Sequence, residues 1–187
     1  MFRSKSYIAG DDEIQQAAED LKKGSAEAFH LLYDKYQLSI YRFCLKMLGD
    51  SALAKDAFQE TFIKVYENRK SFRGANFAAW LYTIARHTCL NVLRAKKEFE
   101  IFDEVYHGQT NEPNEDVGMK DFIERAISSL PIALKEALIL REYEECSYQQ
   151  IAEILGIDLS LAKVRVHRAR LLLRKMLTPL VKELNES

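Results

Sequence analysis

The sequence predicts an all-α protein of two small helical domains, and three observations carry that expectation. Glycine and proline are scarce, 7 and 3 in 187 residues, while Leu, Ala, Glu and Lys abound, a mix that favours long helices over strands and turns. Apolar residues make up 48% and charged residues 29%, enough apolar surface to bury one or two cores and too much for a chain that stays unfolded. Apolar positions also recur at three- and four-residue steps between recognisable caps.

The elements follow in order. A first helix over 12–23 stops at Gly24, and Ser25 can cap a second. Phe29, Leu32, Tyr33, Tyr36, Ile40, Phe43, Cys44 and Met47 keep the helical period of that second helix until Gly49. Asp50 or Ser51 caps a third, with Leu53, Ala57, Phe58, Thr61, Phe62 and Val65 on one side. After a break at 71–76 a fourth runs over 77–96. Residues 1–97 show no strand alternation. Further on, helices over 119–129 and 132–143 flank Leu130 and Pro131, because proline starts or ends helices.

The net charge of -1 hides a segmentation. Residues 1–97 carry 16 bases against 11 acids, and residues 119–187 carry 11 against 10. Between them, residues 98–118 hold 7 acids and no base, together with Gly108, Pro113 and Gly118. Charge of one sign and turn residues read as a solvated linker, so the expected division is 12–97, an acidic linker over 98–118, and 119–184.

The most specific feature lies near the C-terminus. Ser147 and Gln150 form a capping box that opens a short helix with Ile151, Ala152 and Leu155 on one side. Gly156 supplies a sharp turn, Ile157 a buried plug, and Ser160 can cap a longer helix. Short helix, glycine turn and longer helix is the helix-turn-helix arrangement, whose second helix enters the DNA major groove. On a helical wheel Ala162, Val166, Ala169, Leu173 and Met176 share one face, opposite Lys163, Val164, His167, Arg168, Leu171 and Arg174. Residues 163–175 hold six bases and no acid. A merely solvated face would interleave acids for pairing one turn apart; a phosphate-tracking one would not. Lys163, Val164, His167 and Arg168, near the helix start, can reach base edges, whereas Arg170, Arg174 and Lys175 suit phosphates. Arg165 lies nearer the buried flank.

Two weaker patterns sit in the first domain. Phe72, Phe77, Trp80 and Tyr82 cluster beside Arg69, Lys70, Arg73, Arg86, Arg94, Lys96 and Lys97. Aromatics among cations suit unstacked bases and single strands, but the same helical spacing also suits a core. Asp56, Gln59 and Glu60 share a helix face that composition alone reads as solvated.

Other classes find little support. Cys44, Cys89 and Cys146 have no CxxC pairing and no metal-ligand spacing to a histidine; they read as small core residues, and neither metal nor cofactor is expected. No nucleophile elbow, phosphate loop or acid/base couple marks an enzyme. No uncharged stretch is long enough to cross a bilayer, and the N-terminus lacks a signal-peptide core, so a cytoplasmic protein without direct membrane insertion is expected.

Taken together, AKDAFQETFIKVY (54–66), SFRGANFAAWLYTIAR (71–86) and LREYEECSYQQIAEILGIDLSLAKVRVHRARLLLR (140–174) resemble blocks of the extracytoplasmic-function sigma factors, two-domain bacterial transcription initiation factors. The resemblance covers about residues 20–178. It implies that Asp56, Gln59, Glu60 and Phe62 hold the clamp helices of core RNA polymerase. It also implies that Phe72, Arg73, Phe77, Trp80, Arg86, His87, Asn91 and Arg94 capture and melt the minus-10 element. Lys163, Val164, Arg165, His167, Arg168, Arg170 and Arg174 would read the minus-35 element. Promoter DNA, double- and single-stranded, and an anti-sigma factor are the other implied partners, and the acidic linker would thread the polymerase channel that later carries RNA. Several positions depart from the family pattern: the stretch from Phe72 to Trp80 is one residue short, Ala79 and His87 replace a hydroxyl residue and an asparagine, and Leu161 and Val164 replace Thr and Ser. The apolar pair suits a thymine methyl. A helix-turn-helix regulator acting without polymerase is the rival reading, sharing 130–178 but needing an α/β receiver upstream.

Overall fold

A computed structural model describes residues 11–74, 76–107 and 119–185. Among them there are α-helices and one short 3-10 turn, and no strand. In the first unit are α1 (Asp11–Lys22), α2 (Ala26–Leu48), α3 (Ser51–Glu67) and α4 (Phe77–His107), with the 3-10 turn Arg69–Ser71 before α4. The second holds α5 (Met119–Ser128), α6 (Ile132–Glu142), α7 (Tyr148–Leu155) and α8 (Leu159–Asn185).

The expected punctuation recurs in atomic detail. The Ser25 hydroxyl accepts from the Ala28 amide at 3.2 Å, and the Asp50 carboxylate accepts from Ala52 and Leu53 at 2.8 and 2.9 Å. Each satisfies amides that the first helical turn leaves unpaired. Gly49 ends α2 at φ 69, a left-handed value that costs glycine nothing. Asn76 caps α4 by accepting from the Ala79 amide at 3.0 Å.

Two boundaries differ from expectation. Helix α4 does not stop at 96 but runs to His107, so the first ten residues of the expected linker are helical. Phe99, Phe102 and Tyr106 recur at three- and four-residue steps there, a helical period that the charge count obscured. Residues 108–118, with Glu112, Glu115 and Asp116, and the tail 1–10 lie outside the described residues. The cap of α8 is Asp158 rather than Ser160: its carboxylate accepts from the Leu161 amide at 2.7 Å. Asp and Ser are near-equal caps, and the turn after Gly156 places Asp158 first.

Ile40, Phe43, Cys44, Met47, Leu81, Ala85 and Cys89 fill the core between α2 and α4 without solvent contact. In the second unit α8 packs on α5, α6 and α7. The units are not separate beads. Helix α2 packs on α5 and α6, α4 packs on α7, and one apolar cluster runs across the junction. Helix α6 lies at the centre, and every residue from Lys135 to Leu140 is buried.

Candidate nucleic-acid interface

The helix-turn-helix forms as its residues dictate. The Ser147 hydroxyl accepts from the Gln150 amide at 3.2 Å while the Gln150 side chain accepts from the Ser147 amide at 2.8 Å. Gly156 takes φ 64, and the Ile157 amide returns to the Ala152 carbonyl at 3.0 Å, turning the chain sharply into α8. Ala162, Val166 and Ala169 are wholly buried, and Leu172, Leu173 and Met176 pack on Ile127, Leu130 and Leu138.

The opposite face of α8 looks outward. Lys163, Val164, His167, Arg168, Leu171 and Arg174 are all exposed, Leu171 at 50%. Among the described residues Lys163, Arg168 and Arg174 form no ion pair. A row of unpaired cations with two exposed apolar side chains can meet both phosphates and thymine methyls. The other two arginines of the row are engaged. Arg170 Nε donates to Glu142 at 2.9 Å, and half-buried Arg165 reaches Glu136 on α6 at 3.4 Å.

The α4 surface differs more from expectation. Phe72 and Phe77 are 2% exposed and stack edge-on to each other at 5.7 Å, with half-buried Trp80 against both at 5.3 and 5.6 Å. The Lys22 ammonium covers the Phe72 ring at 5.1 Å. Phe72 and Phe77 are therefore core residues here, with no face to offer a base, because the start of α4 must bury its apolar side against α1 and α2. Tyr82 is also buried, its hydroxyl donating to Glu144 at 2.6 Å.

What α4 does expose is a polar strip of His87, Asn91 and Arg94, with Arg94 donating to Asn91 at 3.3 Å. Arg73 is exposed on the preceding loop. Partial burial, then the charges of Arg86 and Arg94, push the His87 pKa below its ordinary value, so its ring is neutral at physiological pH and can both donate and accept. Arg86 is held: its guanidinium grips the Glu136 carboxylate with both arms, at 2.7 and 3.2 Å.

A third surface lies on α2 and α3. Asp56, Gln59 and Glu60 are exposed on one side of α3, Glu60 pairing with Lys64 at 3.2 Å. Phe62, expected to be a contact residue, is 4% exposed and packs against Phe29, Tyr33 and Phe58. It floors a groove of about 530 Å³ lined also by Gln59, Ile63 and Tyr66. Sequence reasoning missed Ile63, Tyr66 and, on α2, Leu38, which are 52%, 42% and 63% exposed. The spacing of Gln59, Ile63 and Tyr66, one turn apart, was the available signal.

Two families match this chain, sigma-70 region 2 over residues 32–99 and sigma-70 region 4 over residues 123–173. The RNA polymerase sigma-H factor of Pseudomonas aeruginosa is 34% identical over 92% of this chain and 97% of its own length. The ECF RNA polymerase sigma factor SigW of Bacillus subtilis is 32% identical over 89% of this chain and 98% of its own. This chain belongs to the extracytoplasmic-function sigma factors. Among solved structures, the sigma factor RpoE in complex with the anti-sigma factor NepR from Bartonella quintana matches this sigma factor with a TM-score of 0.69 at 26% identity, over 82% of this chain and 98% of that one. CnrH in complex with the cytosolic domain of CnrY, at 18% identity and a TM-score of 0.69, shows the same fold. The region 2 match ends inside α4 and the region 4 match spans most of α5 to the middle of α8. No helix among the described residues is long and apolar enough to cross a membrane, and no cluster among them has the donors to hold a metal ion.

Proposed function

We propose that this sigma factor binds core RNA polymerase through α2 and α3, captures the minus-10 element along α4, and reads the minus-35 element with α8. It works in the cytoplasm, with core polymerase, promoter DNA and an anti-sigma factor as partners, and catalyses no reaction of its own. The observation that carries this is the outward row of unpaired cations on α8, seated on a helix-turn-helix within a chain of matching sigma-70 regions 2 and 4.

The surfaces divide the labour. On α8, Lys163, Val164, His167 and Arg168 stand near the helix start, where a recognition helix reaches base edges; Arg174 and Lys175 lie further along and suit phosphates. Arg165 and Arg170 join them only after leaving Glu136 and Glu142. On α4, His87, Asn91 and Arg94 form the strip available to a separated strand, with Arg86 beside it, half-buried Trp80 nearer the helix start, and exposed Arg73 on the loop before the helix. Phe72 and Phe77 support Trp80 from beneath. Extruding a base costs a few kcal/mol, which contacts of the whole polymerase offset, so the chain alone melts nothing. On α3, Gln59 and Glu67 line the Phe62 groove and Asp56 and Glu60 are exposed on the same helix, a combination that fits a helix with basic and apolar side chains on one face.

Transcription from a cognate promoter, with purified core polymerase alone and with this chain added, tests the reading. Transcripts appear only in the combined reaction. Sequence-specific DNA binding that is indifferent to core polymerase, without transcripts, would instead identify a helix-turn-helix regulator.

A further inference from the structure

Among the described residues, four of the nine exposed large apolar side chains stand on one helix, α8: Leu159, Leu161, Val164 and Leu171. None of the four belongs to a core cluster; Ala162, Val166 and Ala169 supply the wholly buried face. At about 100° per residue, Val164 and Leu171 fall within roughly 20° of the line opposite those three, at the outermost edge of the helix. Leu161 stands one turn before Val164, and the two are 38% and 39% exposed. Cations that form no ion pair among the described residues flank this line, Lys163 and Arg174 on one side and Arg168 on the other. The edge of α8 that enters a groove deepest is therefore aliphatic, and its charges lie to the sides.

That placement limits what the edge can read. An aliphatic side chain neither donates nor accepts a hydrogen bond, and the apolar group on a major-groove base edge of unmodified DNA is the C5 methyl of thymine. Against adenine, guanine or plain cytosine the same side chain covers polar atoms without replacing their bonds to water, which counts against binding. 5-Methylcytosine carries its methyl at the same ring position as thymine. The neighbouring groups at C4 differ, an acceptor in thymine and a donor in cytosine, but leucine and valine bond to neither. The first turns of α8 are also held in place. Asp158 accepts from the Leu161 amide at 2.7 Å, and a β-branched side chain such as Val164 keeps one strongly preferred rotamer in a helix. A methyl-sized contact surface thus exists before DNA arrives.

We propose that Leu161 and Val164 recognise a C5 methyl group rather than a base pair, an inference that rests on the proposed reading of α8 as the minus-35 surface. At the positions they face, the element takes thymine or 5-methylcytosine and disfavours uracil or plain cytosine. Binding is then responsive to cytosine methylation. Leu171, more than three turns into the helix, lies beyond the turns that reach base edges and takes no part.

Holoenzyme, made from core polymerase and the full chain, first selects its element from promoter duplexes randomised in the minus-35 region. Each thymine of the selected element is then replaced by deoxyuridine, which removes the methyl and nothing else. In separate duplexes each thymine with its adenine gives way to cytosine with guanine, with and without the 5-methyl. Affinity is read by competition. One buried methyl-sized group is worth about 0.8 kcal/mol, or about fourfold. At one or two positions uracil and plain cytosine are expected to bind about fourfold more weakly than thymine, and 5-methylcytosine within about twofold of it. Val164→Ala and Leu161→Ala should each abolish the uracil penalty at one position and leave it at the other; both side chains are exposed, so the fold is retained. Uracil binding as well as thymine at every position of a selected element overturns methyl recognition and leaves α8 as a DNA surface. A uracil penalty that survives in both variants assigns the methyl contact to other residues and overturns the proposal. 5-Methylcytosine binding as weakly as plain cytosine overturns the equivalence, because the rest of the base edge is then being read. If no element is selected, or if Arg168→Ala and Arg174→Ala leave binding unchanged, the reading of α8 itself fails and the methyl proposal falls with it.

Discussion

Arg168 and Arg170 stand two residues apart on α8, both exposed, and differ in one respect: Arg170 is paired with Glu142 and Arg168 has no ion-pair partner among the described residues. That difference sets the outcome of replacing each with alanine. An unpaired arginine that reads a base edge contributes about 1–3 kcal/mol of discrimination, or about 5- to 150-fold in preference for the cognate minus-35 element. Arg170 must first give up two hydrogen bonds to Glu142. An exposed pair of that kind is worth roughly 0.2–1 kcal/mol, which offsets part of any phosphate contact Arg170 gains. Arg168→Ala is therefore expected to erase most of the preference for cognate over scrambled duplex, while Arg170→Ala weakens both by less than about threefold. Arg174→Ala, the phosphate control, should weaken both equally and reduce the slope of log affinity against log salt by about 0.9. Glu142→Gln frees Arg170 and should strengthen binding to either duplex. The assay is competition by cognate and scrambled duplexes at several salt concentrations. If Arg168→Ala and Arg174→Ala lose affinity equally for every sequence, the split between base readers and phosphate contacts on α8 is wrong.

Three further perturbations test other levels of the argument. Reversing charge at Asp56 and Glu60 together should reduce retention of core polymerase in a pull-down while leaving the melting temperature within about a degree or two, since exposed charges carry little stability; full retention by the folded double variant removes this face from the interface. Ser147→Ala breaks the capping box of α7 and should cost about 1 kcal/mol of stability, read by denaturant unfolding. Glu144 titrates above the ordinary carboxylate value because burial disfavours its charge, against the opposing hydrogen bond from Tyr82 and the charge of Arg42. A raised folded pKa means that its contribution is fully present below the unfolded value near 4.5 and is lost as pH rises through the raised one. Glu144→Gln should therefore match or exceed native stability at neutral pH, by up to about 1 kcal/mol, and lose that advantage below pH 4.5; a variant less stable than native at pH 7 contradicts this.

The all-helical class, the caps at Ser25, Asp50 and Ser147, and the two faces of α8 were legible because each rests on local chemistry within one or two turns. The end of α4 was not, because two local signals compete there. Seven acids and no base suggest solvated chain, while Phe99, Phe102 and Tyr106 keep a helical step, and periodicity prevails through His107. The roles of Phe62, Phe72 and Phe77 were illegible for a different reason. Aromatic side chains at helical spacing serve a core or a stacking platform equally well, and only the neighbours that pack against them decide. Here Tyr33, Trp80 and the Lys22 ammonium occupy the ring faces and edges.

Lys135 and Glu136 mark the limit of any reading that treats the two units separately. Within α6 alone they are two charged residues on a helix whose other side is apolar, and a solvated face is the reasonable expectation. Their burial follows from long-range pairing: Glu136 lies 50 residues from Arg86 in sequence and Lys135 lies 88 from Met47. No periodicity or motif reports such a contact. A buried carboxylate held by two guanidinium groups is costly if either partner leaves and water does not replace it. Glu136 is therefore satisfied only while both Arg86 and Arg165 stay within reach, a condition set by α4, α6 and α8 packing together.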